Sequence, residues 1–321
     1  MKAAVLRELG DSPHYDDFPD PQPEPGDAMV RVKAAALKNS DKMMASGTHY
    51  DSYAELPVVC GIDGVGVLDD RTRVFCGGCR PPYGMMAEKT IVPRGFCVPV
   101  PDGIDDNTAA ALPNPALSSW LSLVWRAQLK PGETVLILGA TGVAGKLAIQ
   151  IARHLGAGRI VAAGRNEQTL KILPDLGADA TILLDQSDQE LTAAFIREAS
   201  HKRFDIVLDF LWGHPTEVLV NALTGHDVTA ENSALRLIEI GEMAGPTISL
   251  RAAALRSSGI EIYGSGGGSI PHTAIFDTFP DVWALAASGK LRIDIEPVPL
   301  ADIRNAWRRN DLPGRRLVII P

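Results

Sequence analysis

The sequence lacks the features that would place it in a membrane, in an oxidising compartment or on nucleic acid. No apolar run approaches the ~20 residues that a membrane helix needs, and the 4 cysteines among 321 residues are too scattered to form a disulfide framework. Lys and Arg number 31 against 39 Asp and Glu, so the net charge of −8 argues against a basic nucleic-acid face. The first residues, with charges at Lys2 and Arg7, do not form the apolar run of a signal peptide. We therefore expect a cytoplasmic protein without a membrane or nucleic-acid partner.

Glycine and proline, by contrast, are abundant. The 30 Gly and 23 Pro predict many short elements and argue against a mostly helical bundle. The first ~100 residues contain short β-prone runs separated by Gly, Pro and Asp clusters. From about Ala109 onward, strands alternate with helices, which is typical of a parallel, doubly wound sheet. The sequence therefore predicts an α/β protein, and its length allows two domains with separate cores.

The alternating pattern predicts the strands and helices after residue 108. Predicted strands cover residues 134–138, 159–163, 180–184, 205–209, 235–240, 260–263 and 317–320, with another near 293. Predicted helices cover residues 109–126 (interrupted at two prolines), 146–155, 168–176, 274–288 and 301–309.

A glycine-rich turn joins the strand 134–138 to the helix that follows it. Gly142 would let backbone N–H groups approach a pyrophosphate, and Gly145 would let the helix pack closely on the sheet. The N-terminus of that helix adds unpaired donors and a positive dipole end. Ala140 stands where the common G-x-G-x-x-G pattern has its first glycine, so the spacing is imperfect and a plain tight turn is the alternative. We predict a dinucleotide site formed by Ala140, Thr141, Gly142, Val143 and Ala144.

The end of the next strand indicates which dinucleotide is bound. In an NAD site, an acidic residue ~20 positions after the glycine turn binds the ribose 2′-hydroxyl. Here the sequence is Gly164-Arg165-Asn166, with no carboxylate and with a guanidinium that can pair with a 2′-phosphate. The alternative is an exposed loop arginine. We predict NADPH, with Gly164, Arg165 and Asn166 contributing to its site.

Several further patterns occur in the order found in a known family. They are PEPGD at 23–27, KNSD at 38–41, GTHY at 47–50, GIDGVG at 61–66, YGMMAE at 83–88, ATGVAG at 140–145, SGKL at 288–291, PL at 299–300 and GRRLV at 314–318. With these patterns along essentially its whole length, the chain resembles the medium-chain dehydrogenase/reductase superfamily. In particular, it resembles the zinc-independent NADPH:quinone oxidoreductase branch, the zeta-crystallin-like proteins.

The resemblance implies a fold and a set of site residues. It implies a GroES-like distorted β-barrel catalytic domain (1–115 and 268–321) and a Rossmann domain (116–267), with the active site in a cleft beyond the carboxyl ends of the parallel strands. By position, Asn39 and Tyr50 would line the nicotinamide and substrate pocket. Ser118 would touch the cofactor, and Gly241 and Gly266 would border the nicotinamide. Tyr50 is the candidate proton donor, and packing on the barrel is its alternative role.

The chain departs from the zinc alcohol dehydrogenases of the same superfamily. Those proteins hold catalytic zinc with a Cys-His-x-Asp run and a Gly-His-Glu run, and the matching residues here are Lys38, Asn39, Ile62 and Asp63. A protonated lysine and an isoleucine are not zinc ligands, so we predict no catalytic zinc.

Two cysteines, Cys76 and Cys79, form a single C-x-x-C pattern. Structural zinc lobes need four closely spaced cysteines, so we interpret this pair as two loop thiols. A redox-sensitive pair is the alternative.

Without a metal, a carbonyl must be polarised by hydrogen-bond donors or by the charge of the cofactor. This requirement suits quinones and α,β-unsaturated carbonyl compounds, so we predict an NADPH-dependent reductase of such small molecules. The alternatives are an enoyl-thioester reductase and a non-catalytic NADPH-binding sensor or structural protein, because binding and catalysis share nearly all of these motifs.

The apolar run 259–263 would be the outermost strand of the parallel sheet. An uncapped edge strand can pair with its own copy across a twofold axis, and the resemblance points the same way, so we expect a homodimer.

Overall fold

The structure is a computed structural model that describes residues 1–224 and 234–321. The chain divides into two compact units. The first unit contains Met1–Pro113, Trp283–Gly289 and Ile293–Pro321, and the second contains Asn114–Val282 and Lys290–Arg292. The sequence-based boundaries lie after residues 115 and 267, whereas the compact units divide after Pro113 and after Val282, and Lys290–Arg292 also belongs to the second unit.

The strands and helices of both units are as follows. The strands are β1 (Lys2–Leu6), β2 (His14–Asp17), β3 (Asp27–Leu37), β4 (Val58–Val59), β5 (Asp63–Val67), β6 (Arg73–Gly77), β7 (Lys89–Pro93), β8 (Cys97–Pro99), β9 (Thr134–Leu138), β10 (Arg159–Gly164), β11 (Ala180–Leu183), β12 (Ile206–Asp209), β13 (Leu235–Glu239), β14 (Ile260–Gly264), β15 (Ile295–Pro299) and β16 (Arg316–Ile320). The α-helices are α1 (Asn39–Ser46), α2 (Asp106–Ala111), α3 (Pro113–Leu121), α4 (Val143–His154), α5 (Glu167–Leu170), α6 (Asp188–His201), α7 (Gly213–Leu223), α8 (Ala252–Ser258), α9 (His272–Ala287) and α10 (Ile303–Arg308). Among the described residues, no helix is both long enough and apolar enough to cross a membrane.

The first unit is built around the long strand β3. This strand pairs antiparallel with β5, β7 and β16, and the larger sheet has the order β15-β16-β3-β5-β6-β8. A smaller sheet has the order β2-β1-β4. Strand β5 lies very close to β3, since a Cβ at Gly66 would be 2.3 Å from Cγ1 of Val30. The two sheets form the GroES-like distorted barrel that the resemblance predicted.

The second unit contains one parallel sheet with the order β11-β10-β9-β12-β13-β14. This is the strand order of the doubly wound dinucleotide-binding fold, with β9 as its first strand. All five residues of β9 are buried, as expected for a central strand that is covered on both faces. The predicted α/β class is confirmed.

Some predicted elements differ from those observed. The predicted helix 109–126 is α2, α3 and a π-helical segment, Ser122–Arg126, and Pro113 begins α3 because the first helical position needs no N–H donor. The predicted helix 168–176 is α5 followed by a 3₁₀ turn, Leu173–Leu176, because Pro174 has no N–H to continue the α-helical ladder. The strand predicted near residue 293 begins at Ile295.

Candidate functional site

The glycine-rich turn of the second unit lies between β9 and α4. Gly139 has a φ of 87° and ends the strand, and its N–H donates to the carbonyl of Ala163 at 2.9 Å. The N–H of Gly142 donates back to Gly139 O at 3.0 Å, and Gly142 is the N-cap of α4. No side chain of the described residues caps this helix, so its first N–H groups have no side-chain partner, the arrangement in which a helix N-terminus can bind an anion.

Close backbone approaches fix the shape of this turn. A Cβ at Gly145 would be 2.3 Å from Gly139 O and 2.5 Å from Cα of Ala140. A Cβ at Gly164 would be 2.4 Å from Cγ2 of Thr141. Helix α4 therefore packs directly on the turn, and the turn packs directly on the end of β10. A side chain at Gly145 would collide with the backbone of the turn, so glycine at this position sets how closely α4 approaches it.

Arg165 and Asn166 follow the end of β10. The Arg165 side chain is exposed and forms no hydrogen bond or ion pair within the described part of the chain. Asn166 is the N-cap of α5, and its Oδ1 accepts from the N–H of Thr169 at 2.7 Å. The guanidinium can therefore bind an anion, whereas the amide oxygen of Asn166 already caps α5.

Serines of α3 lie beside the turn. Ser118 is half-buried, and its hydroxyl donates to Pro115 O at 3.1 Å. The fully buried Ser119 donates to Pro115 O at 2.9 Å and lies 3.3 Å from Ala144 O, so it joins α3 to the first turn of α4. The sequence interpretation named Ser118 and missed Ser119, because this contact joins residues far apart in the chain.

The remaining predicted glycines follow β13 and β14. The N–H of Gly241 donates to Asp209 O at 3.2 Å, and the N–H of Gly266 donates to Oγ of Ser269 at 2.8 Å. The parallel register pairs Asp209 with both Leu138 and Glu239. The carboxyl ends of the strands therefore meet at one edge of the sheet, which carries the glycine turn, Arg165 and both of these loops.

A buried carboxylate at this edge was missed by the sequence interpretation. Asp209 accepts from the N–H groups of Leu211 and Trp212, both at 2.9 Å, and from Oγ1 of Thr216 at 2.5 Å. Burial raises the pKa of Asp209, and the hydrogen bonds only partly offset that shift. Trp212 has a φ of 52°, which is unfavourable for a bulky residue and is held in place by these bonds.

The first unit has a buried charge cluster at the positions matched to zinc ligands. The Lys38 ammonium donates to Asp63 Oδ1 at 2.9 Å and to Ala36 O at 3.0 Å, and lies 3.5 Å from Asp41 Oδ2. The Lys38 and Asp41 side chains are 2% and 0% exposed. The Asp41 carboxylate also accepts the N–H groups of Lys38 (2.8 Å) and Ile62 (3.0 Å). Burial raises the pKa of Asp63, and Lys38 opposes that shift.

This cluster does not fit a zinc ion. The ammonium of Lys38 lies between the two carboxylates and supplies the positive charge that a metal would supply, and Ile62 has no donor atom in its side chain. Among the residues that the structure describes, no group of three or more His, Cys, Asp or Glu side chains is arranged to hold a metal.

The predicted substrate residues lie on and after α1. Asn39 is the first residue of α1 and its side chain is exposed. The Tyr50 side chain is 85% exposed, and its ring stacks on His49 with centroids 4.1 Å apart. The exposed Tyr50 ring contacts its neighbour His49, and its role as a proton donor stays a prediction.

Comparisons with known proteins agree with this architecture. Residues 24–102 match the family described as alcohol dehydrogenase GroES-like domain. Residues 143–288 match the family described as zinc-binding dehydrogenase. Together these matches cover more than two thirds of the chain.

Similar proteins extend over the full length. A probable NADPH-dependent quinone reductase of Emericella nidulans is 27% identical, and the alignment covers 96% of each chain. The quinone oxidoreductase of Thermus thermophilus, solved also with NADPH, is 27% identical with a TM-score of 0.80 and covers 100% of both chains. The quinone oxidoreductase of Pseudomonas syringae is 25% identical with a TM-score of 0.85, covering 100% of this chain and 99% of that one.

A different relative matches only in part. A highly reducing polyketide synthase of Cryptosporiopsis is 31% identical over 57% of this chain, which corresponds to 8% of the synthase. The full-length matches, the strand order and the glycine turn together place the chain in the medium-chain dehydrogenase/reductase superfamily, in the quinone oxidoreductase branch.

Proposed function

We propose that the protein is an NADPH-dependent oxidoreductase that transfers hydride to a quinone or an α,β-unsaturated carbonyl compound. The observation that carries the proposal is the glycine turn at the N-terminus of α4, with an exposed Arg165 at the end of the neighbouring strand. The names of the similar proteins, which include NADPH-dependent quinone reductase, support the same activity.

The cofactor site consists mainly of backbone. The turn and the first N–H groups of α4 would hold the pyrophosphate, and Arg165 would pair with the 2′-phosphate through its planar donors. The residues proposed to contact NADPH are Ser118, Ala140, Thr141, Gly142, Val143, Ala144, Gly164, Arg165, Asn166, Gly241 and Gly266.

When bound, NADPH supplies a hydride from its nicotinamide ring. The chain's own residues have to orient the substrate and supply a proton to the oxygen on which charge develops. We propose Tyr50 for the proton and Asn39 for orientation, since both side chains are exposed on or just after α1. Because Lys38 stands where a metal ligand would be, a carbonyl gains no Lewis acid there, and acceptors that are already electrophilic are favoured.

A turnover screen tests this proposal. The purified protein is mixed with NADPH or NADH and one of three acceptors: a benzoquinone, an enone or an enoyl-thioester. The proposal predicts oxidation of NADPH in preference to NADH, with the quinone or the enone as acceptor. NADPH binding without turnover on any acceptor would identify a non-catalytic binding protein instead.

Reduction of an enoyl-thioester is the second candidate. It is favoured by the match to a segment of a highly reducing polyketide synthase, whose name specifies reductive chemistry. Turnover on the enoyl-thioester at a kcat/KM above those for quinone and enone would select it.

We further propose a cytoplasmic homodimer. Strand β14 is the last strand of the parallel sheet, and its edge residue Tyr263 is 36% exposed, so a second copy can extend the sheet. Light scattering should give twice the mass of the chain, and a monomer mass at all concentrations would contradict this assembly.

A further inference from the structure

We propose that Cys76 and Cys97 form a cross-strand redox pair that closes to a disulfide when the protein meets a hydroperoxide. The two residues lie on neighbouring antiparallel strands, β6 and β8, and are directly opposite in the register. The sequence pattern had drawn attention to Cys76 and Cys79, but the fold pairs Cys76 with a cysteine that is 21 positions away.

The type of strand pairing suits a disulfide. The N–H of Val100 donates to Arg73 O at 3.0 Å, so the 73–100 pair is a hydrogen-bonded pair of the ladder. Hydrogen-bonded and non-hydrogen-bonded pairs alternate along antiparallel strands, which makes Cys76–Cys97 a non-hydrogen-bonded pair. In such pairs the Cα atoms are about 4.5 Å apart and the side chains lie on the same face. That spacing falls within the roughly 4.4–6.8 Å found for disulfides.

The two thiols differ in a way that suits oxidation. Cys76 is fully buried, whereas Cys97 is half-buried on β8, a three-residue strand at the end of the sheet order. The interaction between the two thiols, and then the nearby Arg94 guanidinium, lower the pKa of Cys97. The same interaction and burial raise the pKa of Cys76, whose thiol donates to Sδ of Met85 at 3.9 Å. The accessible thiol is therefore the better nucleophile, and the buried thiol keeps its proton.

Cys79 lacks this arrangement. It follows Gly78, which has a φ of 66° and lies beyond the end of β6. Burial raises the pKa of Cys79 to about 11, so its thiol stays protonated near neutral pH.

The oxidation takes two steps and consumes one hydroperoxide. The Cys97 thiolate attacks the hydroperoxide, the O–O bond breaks, and a sulfenic acid and an alcohol (water for hydrogen peroxide) are formed. The Cys76 sulfur then attacks the sulfenic sulfur, the S–O bond breaks, and the Cys76 proton leaves with the oxygen as water. Two thiols are oxidised and one hydroperoxide is reduced.

The test uses hydrogen peroxide on the full-length protein, followed by alkylation and mass spectrometry. We expect the oxidised protein to lose about 2 Da before alkylation and to take up two alkyl groups fewer than the reduced protein, both changes being reversed by dithiothreitol, and its Tm to rise by roughly 3–10 °C. Trypsin should release residues 74–89 linked to residues 95–126, a cross-link that a Cys76–Cys79 disulfide cannot produce.

Variants complete the test. Cys97→Ser changes a half-buried site with little risk to folding, and Cys76→Ala removes the resolving thiol; either change should abolish the cross-link. Cys79→Ser is the matched control and should keep it. Addition of two or three oxygens to Cys97 in the wild type without a cross-link would overturn the proposal, as would a disulfide that persists in Cys97→Ser.

Discussion

In the second unit the candidate site is made mainly of backbone: Gly145 lets α4 approach the main chain of Gly139 and Ala140, Gly164 leaves room for the Thr141 side chain, and no side chain caps the N-terminus of α4. In the first unit the positions that hold zinc in related dehydrogenases are filled by a lysine ion-paired with two buried carboxylates. An added side-chain atom displaces the backbone of the glycine turn, whereas loss of one charge in the cluster leaves its partner buried without its nearest counter-ion. The two units should therefore respond to different kinds of substitution.

The largest effect is expected at the charge cluster. Lys38→Met removes the ammonium that pairs with the buried Asp63 and Asp41 and leaves only the more distant Arg316 guanidinium to offset their charge, which should cost about 3–5 kcal/mol of the free energy of unfolding. Denaturant unfolding measures the loss. The control is the double variant Lys38→Met/Asp63→Asn, which removes both charges of the shorter ion pair and should recover much of it. Unchanged stability in Lys38→Met would show that the cluster is not a buried ion pair.

The next effect is expected at the glycine turn. In Gly145→Ala the new Cβ would be 2.3 Å from Gly139 O, so the turn has to shift. We expect NADPH affinity to fall by about 100-fold, equivalent to ~2.7 kcal/mol, when it is measured by calorimetric titration. Gly95→Ala, outside the proposed cofactor site, is the matched control, because its Cβ would meet nothing within 4 Å. Equal affinity in the two variants would contradict the proposed pyrophosphate site.

A smaller and more selective effect is expected at Arg165. A charge-assisted contact is worth ~1.5–3 kcal/mol, so Arg165→Ala should weaken NADPH binding by roughly 10–100-fold and leave NADH nearly unchanged. Arg256→Ala, an exposed arginine of α8, should change neither affinity. An equal loss for both nucleotides would show that Arg165 does not contact the phosphate.

The expected effect at Tyr50 depends on the acceptor. Tyr50→Phe removes one proton donor and should lower kcat by ~100-fold on an enone, with a smaller loss on a benzoquinone, which needs less acid assistance. The Tm and the NADPH affinity should stay constant, because the side chain is 85% exposed. Tyr15→Phe, another exposed tyrosine of the first unit, is the control. If Tyr50→Phe turned over both acceptors as fast as the wild type does, Tyr50 would have no role in the reaction.

No effect is expected from metal chelation. Since the donor set at Lys38, Asn39, Ile62 and Asp63 does not fit zinc, prolonged treatment with a chelator should leave turnover unchanged. Elemental analysis that finds about one zinc per chain, lost together with activity, would refute this part of the account.

The sequence predicted the site of the second unit better than that of the first, because the residues of the first unit's site are far apart in the chain. The glycine turn depends on residues within a few positions of each other, so its pattern predicted the strand, the turn and the helix. The Lys38–Asp63 ion pair and the Cys76–Cys97 pairing join residues 25 and 21 positions apart, and only the barrel's strand register brings them together. The Asp209 turn was missed because no local pattern marks a buried carboxylate that caps its own loop.

Hydride transfer itself is the central claim, and an isotope label tests it most directly. NADPH that carries deuterium at both C4 positions of the nicotinamide is incubated with the protein and an enone, and the reduced product is analysed by mass spectrometry. The account predicts one deuterium at the β-carbon of the product, gained only in the presence of the protein. NADPH that binds tightly while the enone is recovered without deuterium would contradict it.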